Sequence, residues 1–347
     1  MTISSISRRT ALKLSAGALA GGLACPAILR AAPKEIVIGG PAGAAKYFNA
    51  DVFPLIQKML DVSILYEGTN SLTNLQKMQA DKGAPKMSVV IMDDPVMLPA
   101  AAEGLITPMK ASSVPNLGKL VPDAIHRDGL WANYQKPWAG IAYSTKRMPA
   151  APTEWSALWE PKYAQKIIVP SLQNTEGFWV LLAAAHLETG KPYKEAQYDI
   201  DAAFKKLKSL KPNLLNVYTN APQAINLLEQ GEAWMIGGQF SAYTLIRKAD
   251  GSPVDLAIPK DGGFAMPSGI AKVTGAPAGD TAEAVINAFL SPEVQTVLAT
   301  KAFVAPTNST VPTPAGFPAS DSLFAPDWAF IAKERAGWVD RWIKEMS

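Results

Sequence analysis

The stretch Lys136–Arg147, KPWAGIAYSTKR, divides the chain. Its apolar centre, Gly140–Ser144, reads as a short strand between prolyl and charged flanks. The residues before it read as one α/β unit, and most of those after it as another. A second apolar segment, Gly269–Val273, would bring the chain back to the first unit. The two segments are expected to act as hinge strands crossing between two lobes, with a ligand closing the gap.

Strand, loop and helix alternate three times before the crossing. Glu35–Ile38 leads through Gly39–Gly43 to a helix over Tyr47–Leu60, with Phe48, Val52, Leu55, Ile56 and Met59 on one face. Val62–Tyr66 leads through Glu67–Ser71 to a helix striped by Leu72, Leu75 and Met78. Ser88–Met92 ends in Asp93-Asp94-Pro95, and a helix over Val96–Glu103 comes next. This pattern predicts a mostly parallel sheet covered by helices. Ligands bind such sheets beyond the carboxyl ends of the strands. Gly39–Gly43, Gly68–Ser71 and Asp93–Pro95 all lie at that end. The first two lead into helix N-termini, whose free N–H groups can hold an anion or a carbonyl oxygen. Ordinary turn and capping chemistry accounts for any one loop; three along one edge point to a site.

The pattern restarts after the crossing. Trp155–Trp159 reads as a short helix and Lys166–Pro170 as a strand. Gln173–Gly177 leads into an apolar helix over Phe178–Glu188, and Asp201–Leu210 is amphipathic. Asn220-Ala221-Pro222 opens a helix that Gly231 ends. Ala233–Ile236 is a strand, Gly237–Ser241 a loop into a helix through Tyr243, and Asp255–Pro259 a strand. Beyond the return, helices are expected over Asp280–Leu290 and Val294–Thr300, the latter capped by Ser291-Pro292. A Pro/Thr-rich loop, Ala305–Pro318, precedes a last amphipathic helix, Trp328–Met346. Its Trp338 and Trp342 read as packing groups.

Composition narrows the function. With 347 residues, 48% of them hydrophobic and 18% charged, the chain suits two globular domains. The formal charge of +3 comes from the N-terminus: positions 1–32 hold Arg8, Arg9, Lys13, Arg30 and no acid. The remainder sets 29 basic against 30 acidic residues, which leaves no electrostatic footprint for nucleic acid. The single cysteine, Cys25, lies in that segment, and His126 and His186 are far apart in sequence. No metal site or cofactor is expected. Nor is there a nucleophile elbow, a phosphate-binding glycine loop or a zinc-protease motif.

Asp93-Asp94 is the adjacent acid pair nearest the expected cleft. Neighbours point in different directions in extended structure, so one is expected to cap a helix and the other to meet a ligand. Tyr47, Trp138, Tyr143, Phe178, Trp179, Phe240 and Tyr243 lie near the cleft, two or three of them in ligand contact. The alternative is an exported hydrolase that uses carboxylates, with Asp93 and Glu176 as the pair.

Ser7-Arg8-Arg9-Thr10-Ala11-Leu12-Lys13, continued by the Gly/Ala-rich run Leu14–Leu29, resembles a twin-arginine export signal cleaved near Ala31 or Ala32. Gly231–Met235, Ile258–Gly263 and Leu290–Gln295 are similar to C-terminal signatures of periplasmic substrate-binding proteins of ABC importers. The likeness is to the branch that binds polyamines, iron(III) and thiamine. The resemblance implies an α/β fold of the periplasmic binding protein-like II class: two Rossmann-like lobes joined by two crossing hinge strands. The expected layout is a signal over 1–32, the first lobe over 33–140, the second over 141–266, and a return over 267–347 with helices packing across the lobes.

By position, the resemblance implies a ligand site at Gly40, Pro41, Ala42, Thr69, Asn70, Asp93, Asp94, Tyr143, Asn174, Thr175, Gln239, Ser241, Tyr243, Met266 and Ser268. The implied partners are a small polar solute, an amine or polyamine first, and the permease subunits. The implied protein is a periplasmic monomer that binds and does not catalyse. Polyamine binders carry an acid and a Trp on the returning segment, where this chain reads Phe264-Ala265-Met266-Pro267-Ser268. Iron binders pair tyrosines where Tyr243 stands alone.

Overall fold

The computed structural model describes residues 34–266, 268–319 and 322–346. The expected export signal, with Arg8, Arg9 and Cys25, lies outside the described residues. Among those described, the strands begin in chain order with β1 (Lys34–Pro41), β2 (Val62–Thr69), β3 (Val89–Asp93) and β4 (Ile106–Thr107). Next come β5 (Ile125–His126), β6 (Trp131–Gln135), β7 (Trp138–Ser144), β8 (Ile167–Pro170) and β9 (Leu214–Tyr218). The last are β10 (Met235–Phe240), β11 (Val254–Ala257), β12 (Gly263–Ala265), β13 (Ser268–Val273) and β14 (Leu323–Phe324).

Two sheets result. The first runs β2-β1-β3-β13-β6-β5, with β4 beside β13; the second runs β14-β12-β7-β10-β8-β9, with β11 beside β7. β1 is parallel to β2 and β3, and β8 is parallel to β9 and β10. β13 lies antiparallel to β3 and β6, and β7 antiparallel to β10, so both sheets are mixed.

The chain leaves the first sheet after β6 and enters the second at β7, through Lys136-Pro137. It returns between β12 and β13, past Met266. The two expected crossing segments are the strands that receive the chain on either side. A third passage runs from the helix Pro292–Lys301 to β14 and the helix Trp328–Met346. The passages are tied together: Lys136 and Ala305 exchange backbone hydrogen bonds of 2.9 and 3.2 Å, and Met266 N–H donates to the Pro137 carbonyl at 3.3 Å.

Helices cover both faces of each sheet. Phe48, Phe53, Tyr134 and Phe289 centre one core of the first sheet, and Leu75, Met78, Met97 and Trp131 its other face. The helix Gly177–Thr189 is apolar all round because it is enclosed, with Phe204 and Leu207 and with Trp338 and Trp342 of the last helix. That last helix also touches the helix Asp94–Ala102 of the first sheet.

Some local expectations change. The helix expected over Tyr47–Leu60 is interrupted by a π turn, Phe48–Val52, before an α segment, Phe53–Leu60. Pro54 has no N–H to donate at that turn, so the regular ladder cannot continue through it. β6 and β9 do not stand out in the sequence. β6, WANYQ, is buried along its whole length, and its polar Asn133 donates to Asp94 at 2.7 Å. β9 is a half-exposed edge strand without a clean apolar rhythm.

Candidate functional site

The carboxyl ends of β1, β2 and β3 face those of β8, β9 and β10 across a cavity of about 310 Å³. The first sheet supplies Pro41, Ala42 and Gly43 after β1, Thr69, Asn70, Ser71 and Thr73 after β2, and Asp93 at the tip of β3. The second supplies Gln173, Asn174, Thr175 and Glu176 after β8, Thr219, Asn220 and Ala221 after β9, and Phe240 and Tyr243 after β10.

Helix starts dominate this lining. The helices Ser71–Ala80, Gly177–Thr189, Ala221–Gln230 and Ser241–Ala249 all begin here. First-turn N–H groups have no intrahelical acceptor and form the positive end of the helix dipole. Asn70 Oδ1 accepts from Thr73 N–H at 2.8 Å and Asn220 Oδ1 from Gln223 N–H at 3.2 Å, so each asparagine satisfies one donor of its helix. Thr69 Oγ1 donates to Asn74 Oδ1 at 2.6 Å, and Asn174 Nδ2 donates to the Thr219 carbonyl at 3.0 Å.

Two acids sit among these positive ends. Asp93 Oδ2 accepts from Ser71 Oγ at 2.9 Å and from Thr175 Oγ1 at 2.8 Å, so it ties the two sheets directly. Burial raises its pKa, while those hydroxyls and the Arg335 charge pull it back. Burial, and then the charge of Asp93, push Glu176 up to about 8. Arg335, from the helix Trp328–Met346, donates to the carbonyl of Gln173 in the same loop as Glu176; burial lowers its pKa to about 10 against the pull of both acids. Tyr243 also faces the cavity, and burial, then Glu176 and the neighbouring Tyr47 and Asp93, hold its phenol well above the usual range. It is not alone: Tyr47 and Tyr66 lie close enough to add to that shift.

Of the expected site residues, the structure brings together Pro41, Ala42, Thr69, Asn70, Asp93, Asn174, Thr175 and Tyr243. The others lie off the lining. Gly40 is under Tyr66, whose hydroxyl reaches the Pro41 carbonyl at 2.8 Å; a Cβ there would meet that oxygen at 2.6 Å. Asp94 turns away from the cavity. Its Oδ1 accepts from Trp131 Nε1 at 3.0 Å and from Asn133, and His126 Nε2 lies 3.5 Å from Oδ2. Burial raises its pKa to about 6, which His126 moderates. Tyr143 sits near the end of β7, which runs antiparallel to β10 and so finishes at the opposite edge of the sheet. Gln239 and Ser241 are fully buried flanking Phe240, and Met266 is buried at the return passage. Ser268 pairs with Asp93 in the sheet. Gln173 comes from the loop expected at this edge, whereas Thr219, Asn220 and Ala221 were not expected at the site; the cap-and-proline start at Asn220-Ala221-Pro222 was the available signal.

The sequence model of a family described as bacterial extracellular solute-binding protein matches residues 84–334. A Salmonella typhi periplasmic protein named for binding 2-aminoethylphosphonate is 23% identical over 305 residues, 84% of this chain and 86% of that one. The spermidine/putrescine-binding periplasmic protein of Escherichia coli K12 is 26% identical over 198 residues, 55% of each chain. Among solved structures, the periplasmic binding protein AfuA of Actinobacillus pleuropneumoniae, with exogenous fructose-6-phosphate bound, superposes with a TM-score of 0.73 at 21% identity, covering 90% of this chain and 98% of that one. The fold, the cavity between its two sheets and the match over most of the chain agree: this protein belongs to the bacterial extracellular solute-binding family.

Proposed function

We propose that this chain is the solute-capturing component of an ABC importer, and that its solute is a compact zwitterion pairing a phosphonate-like oxyanion with an amine. The observation that carries the reading is the cavity, where four helix N-termini and several hydroxyls surround only two acids. Helix starts and hydroxyls suit an oxyanion; Asp93 and Glu176 suit one ammonium. The relative named for 2-aminoethylphosphonate supports this choice. Capture outside the cytoplasm after twin-arginine export, as a monomer that passes its solute to a permease, completes the proposal.

A polyamine is the second reading, favoured by the two acids and by the spermidine/putrescine relatives. It fits less well, because the positive helix ends repel a second ammonium. Hydrolysis is disfavoured because the matching relatives are named as binding proteins.

Thermal melts of the purified protein with 2-aminoethylphosphonate, inorganic phosphate, putrescine and spermidine test the choice. A ligand at a hundred times its Kd stabilises the folded state by about 2.7 kcal/mol. The aminophosphonate is expected to give the largest rise in Tm. A rise with the polyamines alone would favour the second reading, and no rise with any of the four would discard both ligand classes.

A further inference from the structure

Arg335 is the cation whose charge acts on both acids of the site, and it arrives from a helix that lines no part of the cavity. Its side chain is 7% exposed. Nη2 donates to the Gln173 carbonyl at 2.8 Å, and the guanidinium carbon lies 5.1 Å from the centre of the Phe178 ring. Nε and Nη1 are buried without a hydrogen-bond partner. A buried guanidinium with two idle donors is costly unless nearby negative charge compensates it. That charge is present: Arg335 acts on Asp93 from the first sheet and on Glu176 from the second. No hydrogen bond or ion pair joins Arg335 to either carboxylate among the described residues. The remaining titratable groups that feel the acids are Asp94, raised in part by the charge of Asp93, and the phenols of Tyr218, Tyr243 and Tyr134, all neutral at physiological pH.

We propose that Arg335 is a specificity-determining residue that acts through Asp93 and Glu176. With Arg335 cationic, the cavity floor carries one net negative charge once a bound ammonium draws off the Glu176 proton, which matches one ammonium. Without it, the same floor carries up to two and matches a diamine. Its seat on Phe178 and the Gln173 carbonyl fixes the charge in place. This inference rests on the zwitterion reading above and assigns the residue that sets the ligand's charge.

Two measurements on the purified full-length protein test it. Calorimetric titration with 2-aminoethylphosphonate and with putrescine compares the wild type with Arg335→Met and Arg335→Lys. The ratio of the two affinities is expected to move at least tenfold toward putrescine in Arg335→Met and to stay within threefold of the wild type in Arg335→Lys. If Arg335→Met does not fold, Arg335→Gln, which can keep the Gln173 contact, takes its place. Separately, carbon NMR of labelled carboxyl groups tracks the ligand-free proteins through pH. Loss of a neighbouring cation is expected to raise the Glu176 titration, a change that a purely structural role would not produce. An unchanged affinity ratio together with an unchanged Glu176 titration overturns the proposal. If the wild type binds neither probe, the zwitterion reading falls, and the NMR titration alone decides whether Arg335 sets the charge of the floor.

Discussion

Glu176 shows how much a single buried side chain can make the molecule respond to pH. Its pKa rises from 4.5 to about 8 on folding. The folded state therefore holds a proton that the unfolded state has released. Stability from this group is fully present below about pH 4.5, falls as pH rises, and is gone above about 8. Asp94, raised to about 6, acts in the same direction over the lower part of that window. The ligand-free protein is expected to lose thermal stability between pH 5 and 8. Glu176→Gln should flatten the stretch above pH 6, an effect on the order of a few kcal/mol. Melting curves of both proteins across that range check this; parallel profiles would refute the assignment.

At the scale of elements, the last helix does two jobs. It closes the core of the second sheet with Ile331, Trp338, Trp342 and Met346, and it delivers Arg335 to the site. Trp342→Ala is expected to cost about 3–5 kcal/mol, read from urea unfolding. The packing job was legible in the sequence, because the two tryptophans recur at helical spacing. The electrostatic job was not, because Arg335 lies far along the chain from Asp93 and Glu176 and its helix is otherwise charged on its outer face. The same division holds for the strands. β1, β3, β8 and β10 were legible as apolar runs. β9 was not, so the Thr219–Ala221 corner it feeds was missed. Position along the chain points to Gln239 and Ser241, because their loop belongs to the site. Side chains alternate along a strand, and from this loop the cavity receives Phe240, one of the aromatics expected near the cleft.

For the whole molecule, a few contacts join the two sheets around the cavity, and the proposed closure would depend on them. Thr175 meets Asp93, Lys46 pairs with Asp250, and the Tyr243 ring lies over Gly43. A Cβ on Gly43 would stand 2.3 Å from Tyr243 Cζ, so only glycine admits the ring. Gly43→Val is expected to hold the halves apart and weaken solute binding at least tenfold, about 1.4 kcal/mol. Calorimetry measures the loss, and small-angle scattering should show the variant failing to compact where the wild type does. Wild-type affinity in the variant would show that this contact does not govern closing. The joint itself constrains how closing proceeds. Lys136-Pro137, Met266 and Ala305 lie edge to edge and are hydrogen-bonded to one another. Three backbones bound in that way form a ribbon, which folds easily along one line and resists being wrung. The proposed approach of the halves is therefore expected to retrace one arc, bringing Asp93 and Thr175 together already in register instead of searching for each other.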